Sequence, residues 1–305
     1  MSALPLDNYA LILGYLAIGL LLRLVPAMPA DSARALNAYV LNVALPALVL
    51  LKIPQLHFSS QLWLPILTPW LLLILVALLT LLAGKLLKWD RDVIVALLIV
   101  LPLGNTSFLG FPMVEAFWGA ERMPVAIIYD QLGSFIALAT YSTILASVYG
   151  RHEQALQGRA IMKKVFTSPP LLALILALLV RHTDYPPLAT QLLSNVAATL
   201  VPVVMVAVGF SLRFRLSAEE LKPLGFGLLV TLALMPLMAY AIASSADIEP
   251  TLRQTVVFMA AMPPMISAGA IAIMAGLAPR LVSALVGFGV LLSFMTLPVV
   301  YWLLQ

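Results

Sequence analysis

The chain has 305 residues, 63% of them hydrophobic and 10% charged, with a formal net charge of +4. Soluble domains carry roughly 25% charged residues, so this chain cannot cover a water-facing surface, and its composition places it in lipid. No basic patch is interleaved with aromatics, which argues against nucleic acid as a partner, and the absence of cysteine excludes thiolate metal sites.

A spanning helix needs about 20 apolar residues. In chain order, the apolar runs predict about ten spans: 8–25, 34–53, 62–84, 92–118, 122–149, 166–181, 188–212, 221–244, 251–276 and 280–303. The first follows Asp7 without a basic segment before it, so it reads as a span and not as a cleaved signal peptide. Polar or proline-bearing turns separate the runs. The shortest are 118–122 and 276–280.

The basic residues orient these spans. Thirteen of the 17 fall in the turns after spans 1, 3, 5, 7 and 9, among them Lys85, Lys88, Arg151, Arg159, Lys163, Lys164, Arg213 and Arg215. The other turns hold Lys52, Arg122, Arg181 and Arg253. Cytoplasmic turns carry the excess of Lys and Arg. The odd turns are therefore expected to be cytoplasmic, with both termini on the outer side of a bacterial inner (plasma) membrane.

The two halves share a pattern. Span 4 contains Leu101-Pro102-Leu103-Gly104-Asn105-Thr106-Ser107, and span 9 contains Met262-Pro263-Pro264-Met265-Ile266-Ser267. Pro102 and Pro263 are 161 positions apart. Pro46 of span 2 and Pro202 of span 7, each near an asparagine (Asn42, Asn195), are 156 apart. One five-span unit repeated once explains both offsets: 1–150, a cytoplasmic linker 151–165, then 166–305. An odd number of spans per unit inverts the second copy. Inverted repeats with interrupted helices in matching places point to a transporter's binding site.

Proline removes a helical hydrogen bond and crowds the preceding turn. In lipid, the freed backbone groups are tolerated only where they meet protein or line a cavity. Span 4 carries Pro102, Gly104, Gly110 and Pro112, with Asn105, Thr106 and Ser107 between them. The expected substrate-binding residues are these three together with Pro102, Pro263, Pro264, Ser267, Asn42 and Asn195. A kinked helix whose polar residues pair with neighbouring helices is the plainer alternative. Asp130, beside Gln131 in span 5, is an intramembrane carboxylate and so a candidate for ion coupling, with a proton or sodium as the ion. Glu115 is expected near the membrane surface. Lys52 is expected to extend outward from the end of span 2 or to serve as a cation at an anion entrance.

His57, His152 and His182 all fall in turns, and there is no HExxH, GxSxG or phosphate-binding glycine loop. Nothing supports a catalytic centre, a metal site or a cofactor.

Leu101-Pro102-Leu103-Gly104-Asn105-Thr106-Ser107-Phe108-Leu109-Gly110-Phe111-Pro112 resembles the crossover segment of the auxin efflux carrier family. That family includes bacterial permeases of malate- and malonate-type acids and the plant PIN-FORMED carriers. Tyr129 to Ser134, Pro202 to Gly209 and Ser211-Leu212 are similar to it as well, and the likeness covers essentially the whole chain. The resemblance implies an all-α polytopic fold like that of sodium/bile-acid symporters. Spans 1, 2, 6 and 7 would form a scaffold and spans 3–5 and 8–10 a transport domain, with spans 4 and 9 crossing. It also implies elevator-like movement of organic acid anions and a homodimer joined through the scaffold. Pro102, Asn105 and Pro263 take the crossover positions. The second crossover often carries an asparagine after its proline, where this chain has Ile266, Ser267 and Ala268, and the 150–165 turn is far shorter than the plant loop.

The expected function is secondary transport of small organic anions such as carboxylates. The alternatives are a sodium- or proton-coupled antiporter of the same architecture and a non-transporting membrane sensor. The ten-span topology has a direct check. Reporter fusions at Arg159 and at the C-terminus should report opposite sides of the membrane, and a shared side would refute it.

Overall fold

The computed structural model describes residues 6–150, 163, 166–212, 220–245 and 247–305. Arg151, His152, Arg159, Lys164, Arg213 and Arg215, which weigh in the charge count or the histidine inventory, lie outside the described residues.

Among the described residues every named element is helical. In chain order they are α1 (Leu6–Leu22), α2 (Ser32–Gln55), α3 (Ser60–Leu86), α4 (Arg91–Val100), α5 (106–118), α6 (Ala120–Tyr149), α7 (Pro169–Leu179), α8 (Pro187–Ser211), α9 (Leu221–Ser244), α10 (Pro250–Ala260), α11 (Ile266–Met274) and α12 (Pro279–Leu304). Six of these, α2, α3, α6, α8, α9 and α12, are continuous and apolar enough to cross a membrane. Apolar faces that point away from the core fit lipid. On α3, Leu67, Leu71, Ile74, Leu78 and Leu82 are all exposed along one stripe, where a water-soluble helix would be polar.

The short turns are made by backbone that only a few residues adopt readily. Gly119 (φ 86°) separates α5 from α6, and Gly276 (φ 74°) separates α11 from α12. The run expected at 166–181 shows α7 as Pro169–Leu179, with Pro169 and Pro170 in its first turn. Proline suits that turn because its missing N–H would have no intrahelical partner there.

Several helices widen by one residue per turn. Such π-turns cover Val40–Ala44, Thr106–Gly110 and Val230–Leu234, and each ends two positions before a proline: Pro46, Pro112 and Pro236. The proline ring crowds the carbonyl four residues back. A wider turn relieves that crowding without ending the helix. Two more π-turns, Asp130–Ser134 and Leu138–Ser142, have no proline after them. The first is held from outside. It sits against Pro69 of α3, so close that a Cβ on Gly133 would lie 2.3 Å from the Pro69 ring, and the indole N–H of Trp70 donates to the Leu132 carbonyl at 3.1 Å.

The helices pack in two sets. α1 lies along the second half of α8, and residues 45–52 of α2 pack on both α7 and α8. In the other set α10 packs on α9 and α6, α12 on α9 and α11, α3 on α4 and α6, and α11 on α4. α5 touches both sets, since it meets α1 and α8 as well as α6 and α10. Its C-terminal aromatics, Phe117 and Trp118, meet Tyr301 of α12 at an angle, with 5.0 and 4.6 Å between ring centroids.

α1 and α8 touch backbone to backbone. A Cβ on Gly19 would lie 2.2 Å from the Val206 carbonyl oxygen, and one on Gly209 would lie 2.2 Å from that of Leu16. Small residues that allow such approach are a main source of helix association in lipid. Gly19→Val should therefore destabilise the protein by about 1–3 kcal/mol, as overpacking does. Gly14, on the same helix, has open space around its Cβ position. Gly14→Val should stay within about 0.5 kcal/mol of the parent. Thermal unfolding in detergent checks both, and equal melting of the two variants would remove this contact as a support of the fold.

Candidate functional site

The two proline-bearing interruptions meet. After α4 the chain leaves the helix at Pro102, and after α10 it leaves at Ala261, ahead of Pro263-Pro264. The extended pieces lie antiparallel with Gly104 opposite Pro264. The Asn105 N–H donates to the Pro263 carbonyl at 2.7 Å, and the Met265 N–H donates to the Leu103 carbonyl at 2.9 Å. Pro264 has no N–H to give, and it occupies the position of this two-bond ladder that needs none.

Asn105 turns the chain back into helix. Its backbone (φ −76°, ψ 63°) makes an inverse γ-turn, closed by the Thr106 N–H donating to the Gly104 carbonyl at 2.8 Å. Its own carbonyl accepts the N–H groups of Leu109 and Gly110 at 3.1 and 3.0 Å, which starts α5. Thr106 and Ser107, the first residues of α5, then face the π-turn of α6. The Thr106 and Ser107 hydroxyls donate to one oxygen of Asp130, Oδ1, at 2.5 and 2.6 Å. Gln131 Nε2 donates to the other, Oδ2, at 2.7 Å.

Asp130 and Gln131 are wholly buried, and Asn105 and Thr106 are 1% exposed. The carboxylate is thus held by neutral hydroxyl and amide donors. Charge-assisted hydrogen bonds of this kind are about twice as strong as neutral ones and offset much of the cost of burial. Two polar atoms at the centre are left over: among the described residues, Asn105 Nδ2 and Gln131 Oε1 are buried without a hydrogen-bond partner. Buried polar groups are almost always paired, yet a donor at the chain break and an acceptor next to Asp130 in sequence remain free here.

The expected site residues separate cleanly. Pro102, Asn105, Thr106, Ser107, Pro263, Pro264, Asp130 and Gln131 belong to this centre. Ser267 sits half-buried in the first turn of α11, next to it in the chain. Asn42 and Asn195 do not reach the centre. Asn42 is exposed and donates to the Ala38 carbonyl of its own helix at 2.7 Å, and Asn195 is exposed on α8.

A cavity of about 450 Å³ lies where α5 meets α1, α2 and α8, lined in part by Asn8, Tyr15, Lys52, Pro112, Glu115 and Ser194. Asn8, Tyr15 and Ser194 carry no distinguishing motif in the sequence. Glu115 could have been connected to this cavity from its spacing: it follows Pro112 by three, which places both on one face of α5.

A family model described as a membrane transport protein matches residues 9–301. The chain belongs to that family. This is the auxin efflux carrier family that residues 101–112 resemble. Among its relatives, an uncharacterized transporter of Methanothermobacter thermautotrophicus is 26% identical over 285 residues, 92% of each chain. An uncharacterized transporter of Methanocaldococcus jannaschii is 27% identical over 219 residues, 68% of this chain and 69% of its own. With its apolar helices, this family member is an integral membrane protein.

Removing a hydroxyl from the Asp130 cluster leaves a buried carboxylate short of a donor. Thr106→Val should cost about 1–3 kcal/mol of stability. In an Asp130→Asn background, where no charge needs the bond, the cost should shrink. Denaturation of the four proteins of this cycle measures it, and an equal cost in both backgrounds would break the assigned link between Thr106 and the carboxylate.

Proposed function

We propose that the protein is a secondary carrier of small carboxylates that works by alternating access. The observation that carries this reading is the paired helix break, with a free Asn105 amide next in the chain to Thr106, whose hydroxyl donates to the buried Asp130. A permanent lipid-facing bundle has no use for such a centre, since every unpaired group in it costs stability. In a carrier it is the substrate site. Asn105 Nδ2 donates to the substrate carboxylate, and the helical N-terminus of α5 adds its partial positive charge. Pro102, Pro263 and Pro264 keep the backbone open, and Thr106, Ser107 and Ser267 supply hydroxyls.

The wider architecture follows the same reading. Two inverted five-span repeats divide at the 151–165 linker, and α4–α5 and α10–α11 are the crossing fourth and ninth spans. The set α1, α2, α7 and α8 is the scaffold, and the rest, including α5, is the unit that moves in an elevator-like cycle. The packing of these helices into two sets supports that division. The scaffold pairs two copies in a bacterial plasma membrane, with both termini outside. Asp130, oriented by Gln131, carries the coupling proton or sodium ion. An antiporter built on two adjacent intramembrane acids is disfavoured, because Asp130 has hydroxyl and amide neighbours instead of a second carboxylate.

Uptake by proteoliposomes with imposed pH and sodium gradients tests this, after a thermal-shift screen against dicarboxylates, amino acids and indole acids supplies the substrate. Asn105→Ala should abolish binding and uptake while leaving the protein folded and inserted. Asp130→Asn should leave binding largely intact and remove one ion dependence: that on pH if Asp130 carries a proton, or that on sodium if it carries sodium. Full transport by both variants with every ion dependence preserved would reduce the centre to a structural junction.

A further inference from the structure

The cavity beside α5 carries one charge of each sign on different walls. Lys52 comes from the end of α2, and Glu115 comes from α5, three residues after Pro112. The lysine is near enough to act electrostatically on the glutamate. Yet no hydrogen bond or ion pair between described residues engages either side chain. Two opposite charges that face one cavity and are not joined leave room for a group between them. Asn8, Tyr15 and Ser194 complete the polar lining, and the remaining wall is apolar, from side chains such as Leu11 and Leu48.

We infer that this cavity is a recognition site for amphoteric carboxylates, molecules that bear a carboxylate and a protonated amine close together, as α-amino acids do. The inference rests on the carboxylate-carrier reading and narrows its substrate class. Lys52 meets the carboxylate, Glu115 meets the ammonium, and Tyr15, Asn8 and Ser194 hydrogen-bond to either. The cavity's own charges sum to zero, so a zwitterion satisfies both. A plain carboxylate of the same shape leaves Glu115 facing an electronegative group, and a dicarboxylate brings a second negative charge toward it. Discrimination of this kind comes as much from the repulsive group as from the attractive one. Pro112 and Glu115 of α5 both line the site, so a molecule selected there is already on the helix that leads to the break.

The full-length protein in detergent is titrated calorimetrically with three matched pairs: alanine and lactate, leucine and 2-hydroxy-4-methylpentanoate, phenylalanine and 3-phenyllactate. Within each pair only the amine is exchanged for a hydroxyl. In the wild type at least one amino acid should bind tenfold or more tightly than its hydroxy partner. Glu115→Gln should collapse that ratio to near one, Glu115→Asp should restore part of it, and Lys52→Met should weaken both members of the pair. Both positions are at a cavity rim, and unchanged melting temperatures establish that the variants are folded. Equal binding of the hydroxy acids by the wild type overturns the amphoteric preference and leaves the carboxylate reading standing. An undiminished preference in Glu115→Gln overturns the role of Glu115. Binding of no compound in any pair overturns the inference, and the carboxylate reading then stands or falls on the dicarboxylates and indole acids.

Discussion

Backbone hydrogen bonding in lipid is the constraint on which the rest of this structure depends. A peptide group left unpaired in hydrocarbon costs several kcal/mol, and proline at mid-helix unpairs at least one. Prolines interrupt the helix outright in two places, after α4 and after α10, and each break supplies the partner the other lacks: Asn105 N–H to Pro263, and Met265 N–H to Leu103. Neither break would be stable alone. Because they must meet, α4, α5, α10 and α11 converge on one point, and the helices around them pack to suit. The same pairing fixes where α5 begins, and so fixes Thr106 and Ser107 over Asp130.

The π-turns extend this economy of backbone groups to the continuous helices. Three of them absorb a proline, at Pro46, Pro112 and Pro236, so that the helix does not end there. The turn at Asp130–Ser134 has another origin. It lies where Pro69 and Trp70 of α3 press against Gly133 and Leu132. A wider turn at that point sets the direction of the Asp130 side chain relative to α5. π-turns inside helices recur at functional sites because they redirect side chains without breaking the element, and here the redirected side chain is the buried carboxylate.

Much of this was legible in the sequence. Apolar runs and turn residues placed nearly every helix within a few residues, because length and hydropathy are the whole of the lipid constraint. Proline and glycine marked both breaks, since their backbone chemistry is local. What the sequence could not carry was partnership. Nothing in Leu103 or Met265 announces that they hydrogen-bond, because backbone groups are the same in every residue. Asn42 and Asn195 were drawn to the site by their spacing to prolines, yet each sits on an exposed helix face. An asparagine in an apolar run has several ways to satisfy itself, and Asn42 uses a carbonyl of its own helix. In sequence Glu115 reads as a residue near the membrane surface and Lys52 as an outward-reaching side chain or a cation at an anion entrance, and only folding places them on one cavity. The plainer reading of span 4, a kinked helix with paired polar residues, accounts for Thr106 and Ser107, which pair with Asp130, but not for Asn105 Nδ2, buried and without a partner among the described residues.

The two polar regions of α5 differ in electrostatic character, and the difference bears on coupling. Near its C-terminal end a cation and a carboxylate share a cavity. Ten residues earlier, about 15 Å along the helix axis, the centre at Asn105 has Asp130 as its buried charge, surrounded by neutral donors. A carboxylate moving inward would leave Lys52 behind and approach a group of its own sign, in a medium where like charges repel several times more strongly than in water. The Asn105 amide and the α5 N-terminus offset part of that repulsion, but each contributes only a partial charge. On the proposed reading, an anion reaches Asn105 at low cost once a proton or a metal cation has neutralised Asp130. Co-binding of substrate and ion is then a consequence of charge, requiring no separate coupling device, because the same carboxylate that repels the substrate when bare ceases to do so when the ion is present.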